Sequence, residues 1–225
     1  MISLQKKKIL YIFFPLALFS LAKNKKKNPL SVVTTIIAPH VSVGKDLCKF
    51  VIEQKDNFHI VENGNLYRSA QLSPKKLKKI IKEYGIKTII NLRGKNPDKN
   101  WWQNERIVAQ ELDVHFYNIP MRANSFPKKD HLLKLLDLYE NTPRPIYIHC
   151  KAGSDRTGEA AAIYILEQMG GSKKQALKQL SLKYKHIELK YPKKKKLIKM
   201  WQGRNWIENG GYENEILPLQ RAAIV

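Results

Sequence analysis

Pro145-Ile-Tyr-Ile-His-Cys-Lys-Ala-Gly-Ser-Asp-Arg-Thr-Gly158 is the stretch on which the fold turns. A short apolar run ends at His149-Cys150, passes through small residues, and restarts as Glu159-Ala-Ala-Ala-Ile-Tyr-Ile-Leu-Glu-Gln-Met169. The first part has the length of a buried strand and the second that of a helix. The loop between them therefore meets a helix N-terminus, where unpaired N–H groups and the helix dipole favour an anion. Lys151, Ala152, Gly153, Ser154 and Asp155 supply amides able to curl around a tetrahedral oxyanion. Gly153 tolerates a positive φ where such a loop must bend. The thiol of Cys150 starts the loop, in surroundings that favour the nucleophilic thiolate. Arg156 closes it with a planar fork that can hold two phosphate oxygens at once.

Outward from this stretch the chain alternates strands and helices. Asn65 to Ala70 reads as a strand entering a turn. Ser73-Pro74 then gives an N-cap followed by Pro at the first helical position. Leu77, Ile80, Ile81 and Tyr84 fall on one face of that helix, and Gly85 stops it. Thr88 to Leu92 and Val114 to Ile119 read as further strands, with a helix near Trp101 to Leu112 between them. Leu132, Leu135, Leu136 and Tyr139 mark an amphipathic helix ahead of the central strand. After it, Ser172 with Gln175 predicts a capping box, and Pro192 opens a last helix with Leu197, Met200 and Trp201 inward. Such alternation predicts an α/β fold, a mainly parallel sheet flanked by helices.

The 225 residues accommodate one globular domain with appendages. Residues 1–22 read as a signal peptide: a basic opening, then a fourteen-residue apolar run from Ile9 to Ala22 ending in small residues. Export to a periplasmic or extracellular space is the expectation. The alternative is a membrane anchor through residues 9–22, since lysines 23 and 25–27 oppose export. Residues 23–57 are expected to be a linker and N-terminal extension, 58–207 the domain, and 208–225 a poorly fixed tail. With only Cys48 and Cys150 there is no multi-cysteine metal site and at most one disulfide, and no cofactor is implied.

The formal charge of +22 is concentrated in two stretches. Residues 1–29 carry seven Lys and no acid, while residues 173–204 carry eleven Lys and one Arg against Glu188 alone. Such charge suits phosphorylated substrates or an acidic membrane surface, although lysines on solvated faces produce the same composition. Tyr184, Tyr191, Trp201 and Trp206 interleave the second stretch, but without a nucleic-acid recognition motif.

His-Cys, five residues, Arg, then Thr-Gly resembles the signature of the protein tyrosine phosphatase superfamily, and the short layout resembles its compact dual-specificity branch, bacterial members included. The resemblance implies a cysteine phosphatase-like fold with no metal. It also implies that Cys150 attacks phosphorus to form a phosphocysteine, which water hydrolyses. Arg156 and the amides of residues 151–156 would then bind the phosphate, Thr157 would hydrogen-bond the sulfur, and His149 would orient the loop. Members usually place an Asp as general acid after the preceding strand, yet Met121-Arg-Ala-Asn-Ser125 contains no carboxylate. Asp155 is the remaining candidate, because loops with an Asp-Arg pair occur in the superfamily. Lys151 beside Cys150, together with Asp155, resembles the loops of phosphoinositide phosphatases. The function implied is hydrolysis of phosphotyrosine, with phosphoserine or phosphothreonine as further substrates. A phosphoinositide phosphatase and a non-catalytic phosphate-binding module are the alternatives.

Overall fold

The computed structural model describes residues 56–221. The readings of residues 1–22 and of most of 23–57, including Cys48, lie outside them. In chain order come β1 (His59–Glu62), β2 (Leu66–Ser69), α1 (Pro74–Tyr84), β3 (Thr88–Asn91), α2 (Asn100–Glu111), β4 (His115–Asn118), α3 (Lys129–Asn141) and β5 (Ile146–His149). Then follow α4 (Asp155–Glu167), α5 (Lys173–Leu177), a 3-10 turn (Leu182–Tyr184), α6 (Pro192–Met200), α7 (Arg204–Glu208) and α8 (Gly211–Arg221).

The sheet order is β1-β2-β5-β3-β4, with only β1 antiparallel to its neighbour. Both faces of the sheet are covered, and the strand period of two divides the side chains between them. Ile146 and Ile148 of β5, Leu66 of β2 and Ile90 of β3 face a core completed by α3, α4, α6, α7 and α8. Tyr147, Tyr67 and Ile89 face the other way, onto α1 and α2. Helix α1 ends as its residues dictate: Gly85 takes φ +63°, a left-handed conformation that costs glycine little. The capping box of α5 forms, with Gln175 N–H donating to Ser172 Oγ.

The parallel register aligns Ser69, His149, Asn91 and Asn118 in a row across the sheet. The loops that follow them therefore gather at one edge, where ligands of open α/β sheets bind.

Within the expected tail of 208–225, the described residues 208–221 are not loosely fixed. Helix α8 buries Tyr212 and Ile216, and Tyr212 Oη donates to Pro127 O at 2.6 Å. Tyr212 also packs edge-to-face on Trp206, with centroids 5.2 Å apart. Pro218 inside the helix obscured the 212–216–219 spacing.

Candidate active site

Cys150 ends the central strand and is almost fully buried, while Lys151 and Ala152 above it are exposed. Three consecutive carbonyls after the thiol are tied outward. Lys151 O accepts from Gln71 N–H (3.3 Å), Ala152 O from Asn57 Nδ2 (3.0 Å) and Gly153 O from Arg68 Nη2 (2.7 Å). In a trans peptide the N–H points opposite to the C=O, so the amides of Ala152, Gly153 and Ser154 turn inward. Among the described residues these amides donate to no protein acceptor. Helix α4 begins at Asp155, adding its N-terminal amides to the same concavity.

Gly153 has φ +70°, and a Cβ there would sit 2.5 Å from Ala70 N and Ser69 C. The loop thus presses on the end of β2, and only glycine meets both conditions.

Arg156 reaches across to the neighbouring loops. Its Nη1 lies 3.5 Å from Leu92 O and 3.4 Å from Met121 O, long contacts that leave the guanidinium free to shift toward a stronger acceptor. Its Nε is buried without a partner. Thr157 is buried too, and its Oγ1 makes no hydrogen bond.

His149 sits behind the loop, as expected of an orienting residue. Its Nε2 lies 2.8 Å from Glu105 Oε1, with both side chains buried. This is ion-pair distance, but the approach lacks hydrogen-bond alignment. The distance shows that Glu105 faces the ring. Asp155, the candidate acid, lies at the loop's rim, where its Oδ1 accepts from Nδ1 of buried His186 at 2.7 Å. The segment Met121 to Ser125 brings no carboxylate, and Asp130 occupies the first turn of α3.

Five participants carried no sharp sequence signal. Arg68 is fully buried yet has no acidic partner among the described residues. It donates to Gln179 O, Gln179 Oε1 and Gly153 O, and its guanidinium lies 4.3 Å over the Tyr184 ring. Burial pulls its pKa down to about 10, still charged at neutral pH, with the Tyr184 and Cys150 groups opposing the fall. It anchors the loop rather than reaching for substrate. Arg93, by contrast, stands at the mouth: its guanidinium stacks 3.4 Å over Trp101 and donates to Gln71 Oε1. Burial and the neighbouring Arg156 charge lower its pKa. Glu105 was legible in retrospect, since it shares the inward face of α2 with Trp102 and Val108. Glu159 and Lys194 form a buried ion pair at 2.7 Å, and Lys194 Nζ also donates to Ser125 O, fastening the 121–127 segment to α4. Neither partner could be recognised without the other.

A thiol at the strand end, a ring of inward amides and a closing guanidinium on this sheet define the protein tyrosine phosphatase class. A family model described as DSP-PTPase phosphatase fused to NAD+ kinase matches residues 35–196, and the chain belongs to that family. Human dual specificity protein phosphatase CDC14C is 31% identical over 97 residues, 43% of this chain and 20% of that protein. Caenorhabditis elegans tyrosine-protein phosphatase cdc-14 is 28% identical over 89 residues, 40% of this chain and 12% of that protein. The match thus spans a fifth or less of these relatives' lengths. Among solved structures, the core catalytic domain of the PP-IP phosphatase SIW14 from S. cerevisiae superposes with TM-score 0.55 at 21% identity, covering 71% of this chain and 93% of that one. P. aeruginosa TpbA gives TM-score 0.52 at 21% identity, covering 66% and 87%. At that identity the likeness is one of fold.

Proposed function

We propose that this chain hydrolyses phosphate monoesters through a phosphocysteine, with phosphotyrosine as the first substrate class and phosphoserine or phosphothreonine also accepted. One observation carries the reading: the three outward-tied carbonyls turn a ring of amides toward the space above Cys150. The sulfur anion attacks phosphorus, the S–P bond forms, and the P–O bond to the leaving group breaks. Asp155 protonates the departing oxygen, then takes a proton from the water that attacks the phosphocysteine and releases phosphate. Arg156 and the amides hold the equatorial oxygens throughout. A cleft of about 300 Å³ lies along the 120–128 segment, whose Met121 carbonyl contacts Arg156 at 3.4 Å.

A phosphoinositide is the second reading, favoured by two further cations at the mouth, exposed Lys151 and Arg93. Turnover of an aryl phosphate, followed by a panel of phosphopeptides and phosphoinositides, tests both. Cys150→Ser is expected to abolish release of phosphate while retaining affinity for it. Turnover by that variant, or tight phosphate binding by the intact protein without turnover, refutes the proposal; the latter leaves a binding module.

A further inference from the structure

Among the described residues, the three most exposed large apolar side chains lie within eight residues: Leu182 at 79%, Ile187 at 52% and Leu189 at 96%. Isolated exposed leucines need no explanation, but such a cluster on a folded domain does. The segment has two faces. Tyr184 and His186 point inward and are buried, whereas Leu182, Lys183, Lys185, Ile187, Leu189 and Lys190 point outward and are exposed.

The inward face is fastened to the catalytic loop at several points. His186 holds Asp155, and Tyr184 lies under Arg68, which in turn holds Gly153 O. Asn57 Nδ2 bridges Tyr184 O and Ala152 O, each at 3.0 Å. The segment is therefore packed against the outer side of the phosphate loop and its Asp155 rim.

We propose that the segment 182–190 is a docking element for an anionic membrane surface, a proposal that rests on the segment's exposed face and not on the phosphatase reading. Aliphatic tips flanked by lysines are the composition of elements that lie at the headgroup–acyl boundary, where buried apolar area and attraction to acidic lipids add. Lys193, Lys196 and Lys199 of the adjoining α6 extend the positive face, and its single acid, Glu188, is paired with Lys195. A protein partner fits less well, because protein interfaces are depleted in Lys and enriched in Arg and aromatic residues. Nucleic acid fits less well too: Tyr184 and Trp201 of this basic stretch and the adjoining Trp206 are buried, which leaves half-buried Tyr191 as the one partly open ring among the four, too few for a stacking platform.

A nitroxide at Leu189→Cys, in the full chain with Cys48 and Cys150 replaced by Ser, tests the docking locally and without turnover. On adding vesicles of phosphatidylcholine with phosphatidylglycerol, the label is expected to gain contact with oxygen and lose contact with a water-soluble relaxant. A label at Lys82→Cys, on the helix layer across the sheet, is expected to remain in water. Leu182→Ser with Leu189→Ser is expected to weaken vesicle binding at this element by tenfold or more. Each of Lys183→Gln and Lys190→Gln is expected to weaken it about fivefold. Aryl phosphate turnover by these three variants in the otherwise native chain stays within twofold, so loss of docking and loss of catalysis are separable. A label at 189 that stays in water while the protein is vesicle-bound overturns the proposal. So does equal binding to phosphatidylcholine alone, or protection of the label by an oligonucleotide or acidic polypeptide but not by vesicles.

Discussion

Replacing Lys194 by Met should change how stability depends on pH, not only its level. Glu159 and Lys194 are both fully buried, and burial pushes the Glu159 carboxyl up to about 7 although Lys194 pulls it down. An acid with a raised folded-state pKa contributes stability that is complete below its unfolded value of 4.5 and lost as pH rises to about 7. At 1.36 kcal/mol per pH unit that loss is about 3 kcal/mol, after which the native protein's curve levels off. Removing Lys194 lets the carboxyl keep its proton further up, so the variant goes on losing roughly 1.4 kcal/mol per pH unit above neutrality. At pH 6 the penalty is that of the lost hydrogen bonds, about 1–3 kcal/mol. At pH 8 it should reach about 3–5 kcal/mol, the cost of stranding one member of a buried pair. Urea unfolding followed by tryptophan fluorescence reads this directly, since Trp201 and Trp206 lie in the same core. Lys194→Met with Glu159→Gln should recover much of the loss and abolish the widening gap. A penalty equal at pH 6 and pH 8 would refute the reasoning.

Three other substitutions probe the loop. Gly153→Ala places a methyl group 2.5 Å from the β2 backbone at φ +70°, and the displaced loop should lose on the order of 100-fold in kcat/KM toward an aryl phosphate. Arg68→Met frees the Gly153 carbonyl and strands the two Gln179 acceptors; vanadate affinity and kcat should both fall, by roughly 100-fold in kcat, with a lower melting temperature from the unpaired acceptors. Asp155→Asn should slow alkyl phosphates by about 100-fold or more while sparing aryl phosphates, whose leaving groups need little protonation. Equal slowing of both esters would remove Asp155 as the acid.

Local sequence carried a great deal here because strand, loop and helix are contiguous at the site. The β5–loop–α4 unit, the placement of Cys150 and Arg156 within it, the helix stop at Gly85 and the α5 capping box all depend on neighbours a few residues away. Each is realised in the structure. The parallel sheet followed from alternation and burial alone, since near-continuous apolar strands such as Ile146 to Ile148 must be covered on both faces.

What holds the loop open belongs to the tertiary structure. The clamp on the three loop carbonyls comes from Asn57, Arg68 and Gln71, separated from the loop by 80 or more residues, and no periodicity links them to it. His186 meets Asp155, and Lys194 meets Glu159, across 31 and 35 residues of chain. A single buried ion or hydrogen-bonding side chain has no pattern of its own; its meaning lies in which partner the fold delivers to it. The same holds for surface: the sequence shows Leu182, Ile187 and Leu189 as ordinary apolar residues, and only packing decides that they remain outside the core while Tyr184 and His186 enter it. Sequence placed a thiol, small-residue amides and a guanidinium in one contiguous loop; the fold settled what surrounds and aims them, because those contacts join residues that covalent proximity never brings together.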